Sequence, residues 1–243
     1  MKTIGVIGGL GPMATVYYLE LITKMADVHR DQEHPRIYMQ SMPDIPDRTA
    51  YILGQSEDNP IHLMIQAGKA LQQMGANFIT VPCVTAGYFY AQMEEALDIP
   101  VVNLLQELAD ASKRRNVQKV GILATSGTNR SGVLTEMIRR QGMEVLLPDE
   151  SRQEQLMDII YRQIKGGEEI DWQMFGEIAK NLLDSGAECL ILGCTELPLL
   201  RKELCHCTEK QCADILQNHC IDALEVLAEC ALSRCGIPIK QGW

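Results

Sequence analysis

The stretch of sequence that decides the fold is Leu190-Ile191-Leu192-Gly193-Cys194-Thr195-Glu196-Leu197-Pro198. Its apolar start, without polar alternation, predicts a strand of a parallel sheet that is buried on both faces. In open α/β sheets, ligands bind beyond the carboxyl ends of the strands. Cys194 follows this predicted strand directly. Its thiol is therefore the first candidate for a reactive group.

A second copy of this pattern lies earlier in the chain. Gly75-Ala76-Asn77-Phe78-Ile79-Thr80-Val81-Pro82-Cys83 matches Gly186-Ala187-Glu188-Cys189-Leu190-Ile191-Leu192-Gly193-Cys194, with Gly, Ala and Cys at identical offsets. Each copy follows an amphipathic helical pattern that ends at its glycine, as helices commonly do. Ile4-Gly5-Val6-Ile7 likewise matches Val120-Gly121-Ile122-Leu123. The repeat predicts two similar lobes, each with a cysteine at the same strand end.

Strand and helix patterns alternate along the whole chain, which predicts doubly wound parallel sheets. Besides the strand in Leu190–Pro198, we expect strands at 3–7, 37–42, 78–81, 101–102, 120–124 and 144–147. We expect helices at 13–27, 60–74, 88–97, 133–141, 153–165, 172–185 and 209–235. The predicted fold class is α/β, with two similar doubly wound parallel-sheet lobes related by pseudo-twofold symmetry. Their active site is expected in the cleft between the lobes.

Three local patterns refine this prediction. The first helix is expected to bury Val16, Leu19 and Ile22, and 125–132 is expected to be a polar loop. The proline-rich loop 43–49 is expected to be extended and stiff, so that it presents Arg48 at a fixed point. We expect one lobe to comprise 1–103 with a returning helix in about 209–243, and the other to comprise 104–208.

The composition excludes several classes of protein. A formal net charge of −10 argues against a nucleic-acid surface, which needs a basic patch. No apolar run is long enough to span a bilayer, and the N-terminal residues do not resemble a signal peptide. We therefore expect a cytoplasmic protein without membrane or nucleic-acid partners. Its nine cysteines are then expected to be thiols rather than disulfides.

Two facing thiols suggest a specific chemistry. A thiolate is a competent base, and a strand end before a helix start favours the thiolate at neutral pH. One thiolate and one thiol on opposite sides of a carbon acid can remove a proton from one face and return a proton to the other. The stereocentre is then inverted without redox change or a metal. Thr85 and Thr195 offer hydroxyls nearby, and Glu196 offers a carboxylate.

Four motifs resemble those of the aspartate/glutamate racemase family. They are Gly8-Gly9-Leu10-Gly11-Pro12-Met13-Ala14-Thr15, Pro46-Asp47-Arg48-Thr49, Pro82-Cys83-Val84-Thr85-Ala86 and Gly193-Cys194-Thr195-Glu196-Leu197-Pro198. The resemblance implies racemisation of aspartate or glutamate without pyridoxal phosphate or any other cofactor, by a homodimer. It implies that Cys83 and Cys194 are the catalytic acid and base. The substrate-binding residues that we expect are Gly9, Met13, Arg48, Thr85, Thr128, Lys165, Thr195 and Glu196.

The chain departs from the family pattern beside Cys83. Val84 and Gly87 stand where the family usually has Asn and His. Val84 removes an amide donor and an acceptor from the site, so the way in which substrate is held is open. A non-catalytic or altered-specificity binding protein of the same fold is one alternative. A related dicarboxylate isomerase or decarboxylase is the other.

Two further motifs suggest cofactors. Gly9-Leu10-Gly11-Pro12-Met13-Ala14 has the spacing of a dinucleotide-binding loop, but the second predicted strand ends without an acidic residue to hold a ribose. The loop is better suited to present backbone N–H groups to a substrate carboxylate. The second motif is the dense set of cysteines between Cys205 and Cys220, whose spacing does not match a paired zinc arrangement. We therefore expect no structural metal.

Overall fold

The computed structural model describes residues 1–207 and 209–242, and the chain forms two compact units. Unit 1 consists of Met1–Leu104 together with the chain from Leu224 onward. Unit 2 is the continuous segment Leu105–Ala223. The first boundary lies one residue from the predicted one, whereas the return of the chain to unit 1 begins later than predicted.

Unit 1 is built on a three-stranded parallel sheet in the order β2-β1-β3. Ile4 of the central strand pairs with Ile37 on one side and Phe78 on the other. The strand predicted at 101–102 is only a single parallel bridge between Val101 and Ile79. The elements are β1 (Ile4–Gly8), α1 (Pro12–Met25), β2 (Ile37–Ser41), α2 (Arg48–Ile52), α3 (Ile61–Gln73), β3 (Phe78–Thr80) and α4 (Tyr90–Ala96), with 3-10 turns at Asp31–Glu33 and Thr85–Phe89.

Helix α1 buries a different face from the one predicted. Val16 is 56% exposed, whereas Tyr18, Leu21 and Met25 are buried. Ile22 is buried as predicted. The spacing from Tyr18 to Leu21 and Met25 also fits one helical face. The face with Tyr18, Leu21 and Met25 buries larger side chains than the face that begins at Val16. Helix α1 turns this face inward because burial of more apolar area is more stabilising.

Unit 2 carries a four-stranded parallel sheet in the order β5-β4-β6-β7. In its centre Val120 pairs with Cys189, and Ala124 pairs with Gly193. The elements are α5 (Leu104–Arg114), β4 (Lys119–Ala124), α6 (Ser126–Ser131), α7 (Val133–Arg140), β5 (Glu144–Leu146), α8 (Glu150–Asp158), a π-helix at Ile159–Lys165, α9 (Trp172–Asp184), β6 (Cys189–Gly193), 3-10 turns at Leu197–Arg201 and Leu204–His206, α10 (Lys210–Asn218) and β7 (Cys220–Asp222). The last helix, α11 (Ala223–Cys235), follows β7 and lies in unit 1 from Leu224 onward.

The polar loop predicted at 125–132 is wrong, because this segment contains helix α6. Thr125 is the N-cap of α6, and its hydroxyl accepts a hydrogen bond from the backbone N–H of Thr128. Short polar side chains favour loops and helix caps for the same reason, since they bond to nearby backbone groups. Gly132 then takes a left-handed conformation and ends the helix.

The single helix predicted over 209–235 is also wrong. The segment Cys220–Asp222 is an edge strand that pairs with β6, with Cys220 opposite Leu190. The helical spacing of Leu216, Cys220 and Leu224 runs across this break, because the apolar residues of a short buried strand can mimic a helical face. Consequently 209–222 belongs to unit 2, and the chain returns to unit 1 only at Leu224.

The predicted α/β fold class is confirmed in both units. Each unit places helices around a parallel sheet and has its own buried apolar cluster. Leu190, Ile191 and Leu192 of the opening stretch are fully buried, as a central parallel strand requires. Within the described ranges, no helix is both long and apolar enough to cross a membrane.

Candidate active site

Cys83 lies just beyond the carboxyl end of β3 in unit 1. Cys83 is 6% exposed, and its backbone N–H donates to the carbonyl of Val81 at 2.7 Å. The 3-10 turn Thr85–Phe89 begins two residues later, and both Val84 and Thr85 are buried. The thiol is thus held at a strand end next to a helical turn, as the repeat predicted. Val84 offers only apolar surface at this point.

The glycine-rich loop after β1 is fixed at Gly9. Its φ is +91°, and a Cβ there would lie 2.5 Å from the backbone nitrogen of Met42. The Gly9 N–H donates to Thr15 Oγ1 at 3.0 Å, and this hydroxyl donates to the Gly11 carbonyl at 3.0 Å. Thr15 therefore holds the loop in place, a role that the sequence did not assign to it. Met13, in the first turn of α1, is 62% exposed.

Arg48 starts helix α2 instead of lying on an extended loop, which corrects the prediction for 43–49. Asp47 caps this helix with its side chain, and Arg48 itself is buried. Its Nη1 donates to the carbonyls of Ile45 at 3.2 Å and Pro46 at 3.0 Å. Its Nη2 donates to the Leu10 carbonyl at 3.1 Å. The guanidinium thus ties the proline-rich loop to the glycine-rich loop.

Cys194 occupies the equivalent strand end in unit 2, directly after β6. It is 4% exposed, and its thiol donates a hydrogen bond to Glu196 Oε2 at 3.0 Å. The Thr195 hydroxyl donates to the same carboxylate oxygen at 3.5 Å. Leu197 N–H donates to the Cys194 carbonyl at 3.0 Å, which closes the turn into the 3-10 segment Leu197–Arg201. Three consecutive side chains are therefore joined through one buried carboxylate.

Lys165 provides the positive charge for this carboxylate. Its Nζ lies 3.6 Å from Glu196 Oε1, and the side chains are 26% and 5% exposed respectively. Lys165 is the last residue of the π-helix, and its ammonium lies 4.4 Å from the centre of the Tyr161 ring. π-Helical turns are rare and often occur at functional sites. This turn delivers the cation to the Cys194 end of the sheet.

The pKa of Cys194 is raised well above its ordinary value, chiefly because burial disfavours the thiolate. The negative charge of Glu196 raises this pKa further, and the positive charge of Lys165 opposes the shift. The direction of this pKa shift is opposite to the one that the sequence predicted for Cys194. The helical turn after Cys194 does not outweigh the desolvation of a fully buried thiol next to a carboxylate. Burial and the Glu196 carboxylate thus both raise the pKa of the Cys194 thiol and favour its protonated form.

Thr128 lies near the end of the neighbouring strand. Its hydroxyl is 3.2 Å from the hydroxyl of Thr125, and both residues are buried. Because Ala124 pairs with Gly193, Thr125 follows β4 at the level at which Cys194 follows β6. The sequence did not single out Thr125, although a threonine between a strand and Ser-Gly-Thr is a helix-capping signal.

The predicted site residues thus fall into two sets, one in each unit. In unit 1, Arg48 links the Gly9 loop to the proline-rich loop, and Cys83 follows the strand adjacent to β1. In unit 2, Cys194, Thr195, Glu196 and Lys165 form one connected group. Across residues 1–207 and 209–242, no cluster of three or more His, Cys, Asp or Glu side chains is arranged to hold a metal ion.

The fold and the similar proteins place the chain among the amino-acid racemases, which are isomerases. The Asp/Glu/Hydantoin racemase family matches residues 7–231, and the chain belongs to this family. The broad specificity amino-acid racemase RacX of Bacillus subtilis is 24% identical over 206 residues, which are 80% of this chain and 85% of RacX. Glutamate racemase of Shewanella woodyi is 30% identical over 138 residues, which are 54% of this chain and 49% of that enzyme.

Solved structures show the same fold. Aspartate racemase of Picrophilus torridus superposes with a TM-score of 0.83 at 26% identity, covering 99% of this chain and 97% of that one. An aspartate racemase homologue from Pyrococcus horikoshii superposes with a TM-score of 0.75 at 24% identity, covering 97% of this chain and 100% of that one. The two-lobe architecture predicted from the internal repeat is that of these racemases.

Proposed function

We propose that this protein racemises aspartate or glutamate by two-base proton transfer at the α-carbon, without a cofactor. The observation that carries the proposal is the pair of buried thiols, Cys83 and Cys194, at equivalent strand ends of two similar units. Packing alone gives no reason for a cysteine at both positions. Membership of the racemase family gives one, since each thiol can serve one face of a substrate.

In this mechanism the two cysteines take the roles of base and acid. Cys194 holds its proton, because burial and Glu196 raise its pKa. We infer that Cys83 acts as the base that takes the α-proton, while Cys194 gives its proton to the opposite face. One proton leaves the carbon and one arrives, so the substrate changes configuration and nothing is oxidised or reduced. The reverse reaction exchanges the roles.

Glu196 and Lys165 would then support the Cys194 half of the reaction. The carboxylate accepts the thiol hydrogen bond in the resting protein, and it can hold the thiol proton in line with the sulfur. Lys165 limits the repulsion between Glu196 and a Cys194 thiolate, because its charge opposes that of the carboxylate. This makes Glu196 a positioning residue and Lys165 its counter-ion.

Recognition of an acidic substrate would use the cationic and N–H groups around the two thiols. The loop at Gly9 leads into helix α1 and can offer backbone N–H groups to a carboxylate. Arg48 and Lys165 are the two cations that the family resemblance assigns to carboxylates. Picrophilus torridus aspartate racemase, similar over nearly the whole chain, supports an acidic substrate.

A second candidate is racemisation of amino acids with uncharged side chains. Glu196 counters the charge of Lys165, and Arg48 already donates to three backbone carbonyls. Val84 adds apolar surface next to Cys83. These observations weaken the case for a strongly cationic pocket. RacX, which is described as a broad specificity enzyme, is similar to most of this chain.

One experiment tests the activity and ranks the substrates. The purified protein, with its thiols reduced, is incubated in D2O with each enantiomer of aspartate, glutamate, alanine and methionine, while NMR follows the α-proton and polarimetry follows the rotation. We expect α-deuterium incorporation with loss of optical rotation, fastest for aspartate or glutamate. Fastest exchange of alanine or methionine would favour the second candidate. No exchange of any substrate by folded protein would contradict the racemase proposal.

Cysteine variants test the two-base assignment. We expect Cys83→Ala and Cys194→Ala each to lower racemisation by about 10³-fold or more, since each removes a proton carrier from one face. Cys205→Ala is the matched control, because Cys205 is exposed and lies outside both strand ends. Retained racemisation in either active-site variant would refute the assignment while leaving the fold intact. Circular dichroism of each variant checks that it is folded.

We further propose that the protein acts as a homodimer, as the family resemblance implies, and that it is cytoplasmic, as its sequence predicts. Sedimentation equilibrium tests the dimer, and fractionation of the source cells tests the compartment. A purely monomeric protein at micromolar concentration would contradict the first prediction. Recovery in a membrane or secreted fraction would contradict the second.

A further inference from the structure

A buried ion pair in unit 2 joins the turn after Cys194 to the edge strand β7. Arg201 ends the 3-10 turn Leu197–Arg201, and its Nη1 lies 3.5 Å from Oδ2 of Asp222, the last residue of β7. The two side chains are 17% and 0% exposed respectively. The proton transfer proposed above uses neither of these charges.

The Arg201 guanidinium also binds two backbone carbonyls. Its Nε donates to the carbonyl of Leu216, in the last turn of α10, at 2.9 Å. Its Nη2 donates to the carbonyl of Cys220, the first residue of β7, at 3.4 Å. One side chain thus holds the turn against a helix end and against both ends of a short strand. The rigid, planar fork of arginine is suited to this task.

The turn carries two groups of the candidate active site. Leu197 N–H donates to the Cys194 carbonyl at 3.0 Å, and Leu199 N–H donates to the Glu196 carbonyl at 3.0 Å. Leu197 and Leu200 are buried in the same apolar cluster as Cys194. A shift of the turn would therefore move the backbone of the cysteine and of its carboxylate partner together.

Strand β7 completes the arrangement on the other side of the turn. Asp222 lies opposite Leu192 of β6, two residues before Cys194. A closed circuit thus runs from β6 through the turn to Arg201, across the ion pair to β7, and back to β6 by strand pairing. Because desolvation of the two charges offsets their attraction, a buried ion pair adds little net stability, but it can fix one geometry among several.

We propose that Arg201 is a positioning residue for racemisation, because it fixes the turn that carries Cys194 and Glu196, with Asp222 as its counter-ion. This inference rests on the proposed racemase function. Arg201 acts through the turn and not through contact with the substrate. Its removal should shift the thiol relative to the α-carbon, and a misplacement of about 1 Å can lower a rate by about 10²-fold.

Kinetics of Arg201 variants test this role. We expect Arg201→Ala to lower kcat by about 10²-fold, with a much smaller change in KM, because the turn carries a proton-transfer group. Arg201→Lys keeps the charge but replaces the planar fork by a single amine, so it should restore only a small part of kcat. Asp222→Asn should give an intermediate loss. Arg140→Ala is the matched control and should leave kcat unchanged, since Arg140 pairs with Glu136 on the surface.

Chemical rescue separates positioning from a general loss of stability. Methylguanidinium at millimolar concentration can occupy the space left in Arg201→Ala and restore the contacts with Asp222 and the two carbonyls. We expect it to raise kcat of this variant several-fold. A merely destabilised chain would lose activity instead, because guanidinium ions weaken the folded state. An unchanged kcat in Arg201→Ala, or a lowered kcat that methylguanidinium does not raise, would overturn the proposal.

Alkylation of the two active-site cysteines gives a measurement that does not depend on activity. In Arg201→Ala we expect Cys194 to react with iodoacetamide several-fold faster than in the wild type, because a loosened turn exposes the thiol. Cys83, in unit 1, should react at an unchanged rate, and peptide mass spectrometry measures both in one sample. Faster alkylation of Cys194, with no substrate exchange by the wild type, would support the role of Arg201 in the turn and contradict the racemase proposal. An unchanged alkylation rate of Cys194 in an active enzyme would overturn the positioning role alone.

Discussion

At the residue scale, the charges beside Cys194 act on its pKa in opposite directions. Glu196 raises this pKa and Lys165 lowers it. Glu196→Gln should therefore lower the pKa of Cys194 and raise its rate of alkylation by iodoacetamide at mildly alkaline pH. Lys165→Met should raise the pKa and slow the alkylation. Each pKa unit changes the thiolate fraction by about 10-fold, and peptide mass spectrometry measures the rates for Cys194 alone.

The same pair of variants should affect racemisation differently. Glu196→Gln leaves a neutral group that still accepts a hydrogen bond, so we expect a shift of the pH profile towards lower pH with a moderate loss of kcat. Lys165→Met leaves a buried carboxylate without its cation and should shift the profile the other way. Lys180→Met is the control, because Lys180 pairs with Asp184 on the surface. Shifts in the same direction for both variants would contradict this account.

Only part of this residue network is predictable from the sequence. Cys83 and Cys194 are evident from the repeat, and Glu196 lies two residues from Cys194. The contact between Lys165 and Glu196 joins separate elements and depends on a π-helical turn. No local sequence pattern predicts such a turn. The raised pKa of Cys194 depends on complete burial, and a strand end can be either open or covered. The position of Cys194 at a strand end is therefore predictable from the sequence, whereas the pKa of its thiol depends on how the thiol is packed.

At the element scale, the loop between β1 and α1 depends on the conformation of Gly9. A Cβ at this position would strain the left-handed backbone, at about 1–2 kcal/mol, and would also meet the backbone of Met42 at 2.5 Å. Gly54→Ala is the matched control, since Gly54 has a φ of +71° but nothing within 4 Å of its Cβ position. We expect Gly9→Ala to lower the free energy of unfolding by clearly more than Gly54→Ala does. Denaturant titration measures both, and equal losses would show that the close approach to Met42 is unimportant.

The secondary-structure elements were predictable where the hydrophobic pattern of the sequence fitted only one kind of element. Strands β1, β4 and β6 lie within a residue of their predicted bounds, because continuous apolar runs next to glycines leave little choice. The predictions were wrong where the same residues fitted two kinds of secondary structure. Cys220 fits both a helical face and an edge strand, and Thr125 fits both a loop and a helix cap. In each case the neighbouring strand or the hydrogen-bond partner decided the structure, and neither is local in sequence.

At the scale of the whole molecule, buried thiols are concentrated in unit 2. The pKa of Cys189 is raised to about 11, and those of Cys212 and Cys220 to about 12, in each case chiefly by burial. Unfolding exposes these thiols and returns their pKa values towards the ordinary value of 9.0. Between these values the unfolded chain binds fewer protons than the folded chain, so the stability of unit 2 must fall as pH rises.

We therefore expect the denaturant midpoint of the reduced protein to be constant up to about pH 8 and to decrease steadily above about pH 9. The sign of this pH dependence follows from the raised pKa values of the buried thiols. The stabilisation is complete below the thiol pKa of the unfolded chain, and it is lost as pH rises through the thiol pKa values of the folded chain. Cys220→Ala should flatten the slope, since it removes one of the shifted groups, whereas Cys205→Ala, at an exposed position, should leave the slope unchanged. Equal slopes in both variants would show that alkaline unfolding arises from other groups, such as Tyr18, whose pKa is also raised by burial. Because Tyr18 belongs to unit 1, hydrogen exchange resolved by peptide can tell which unit loses protection first.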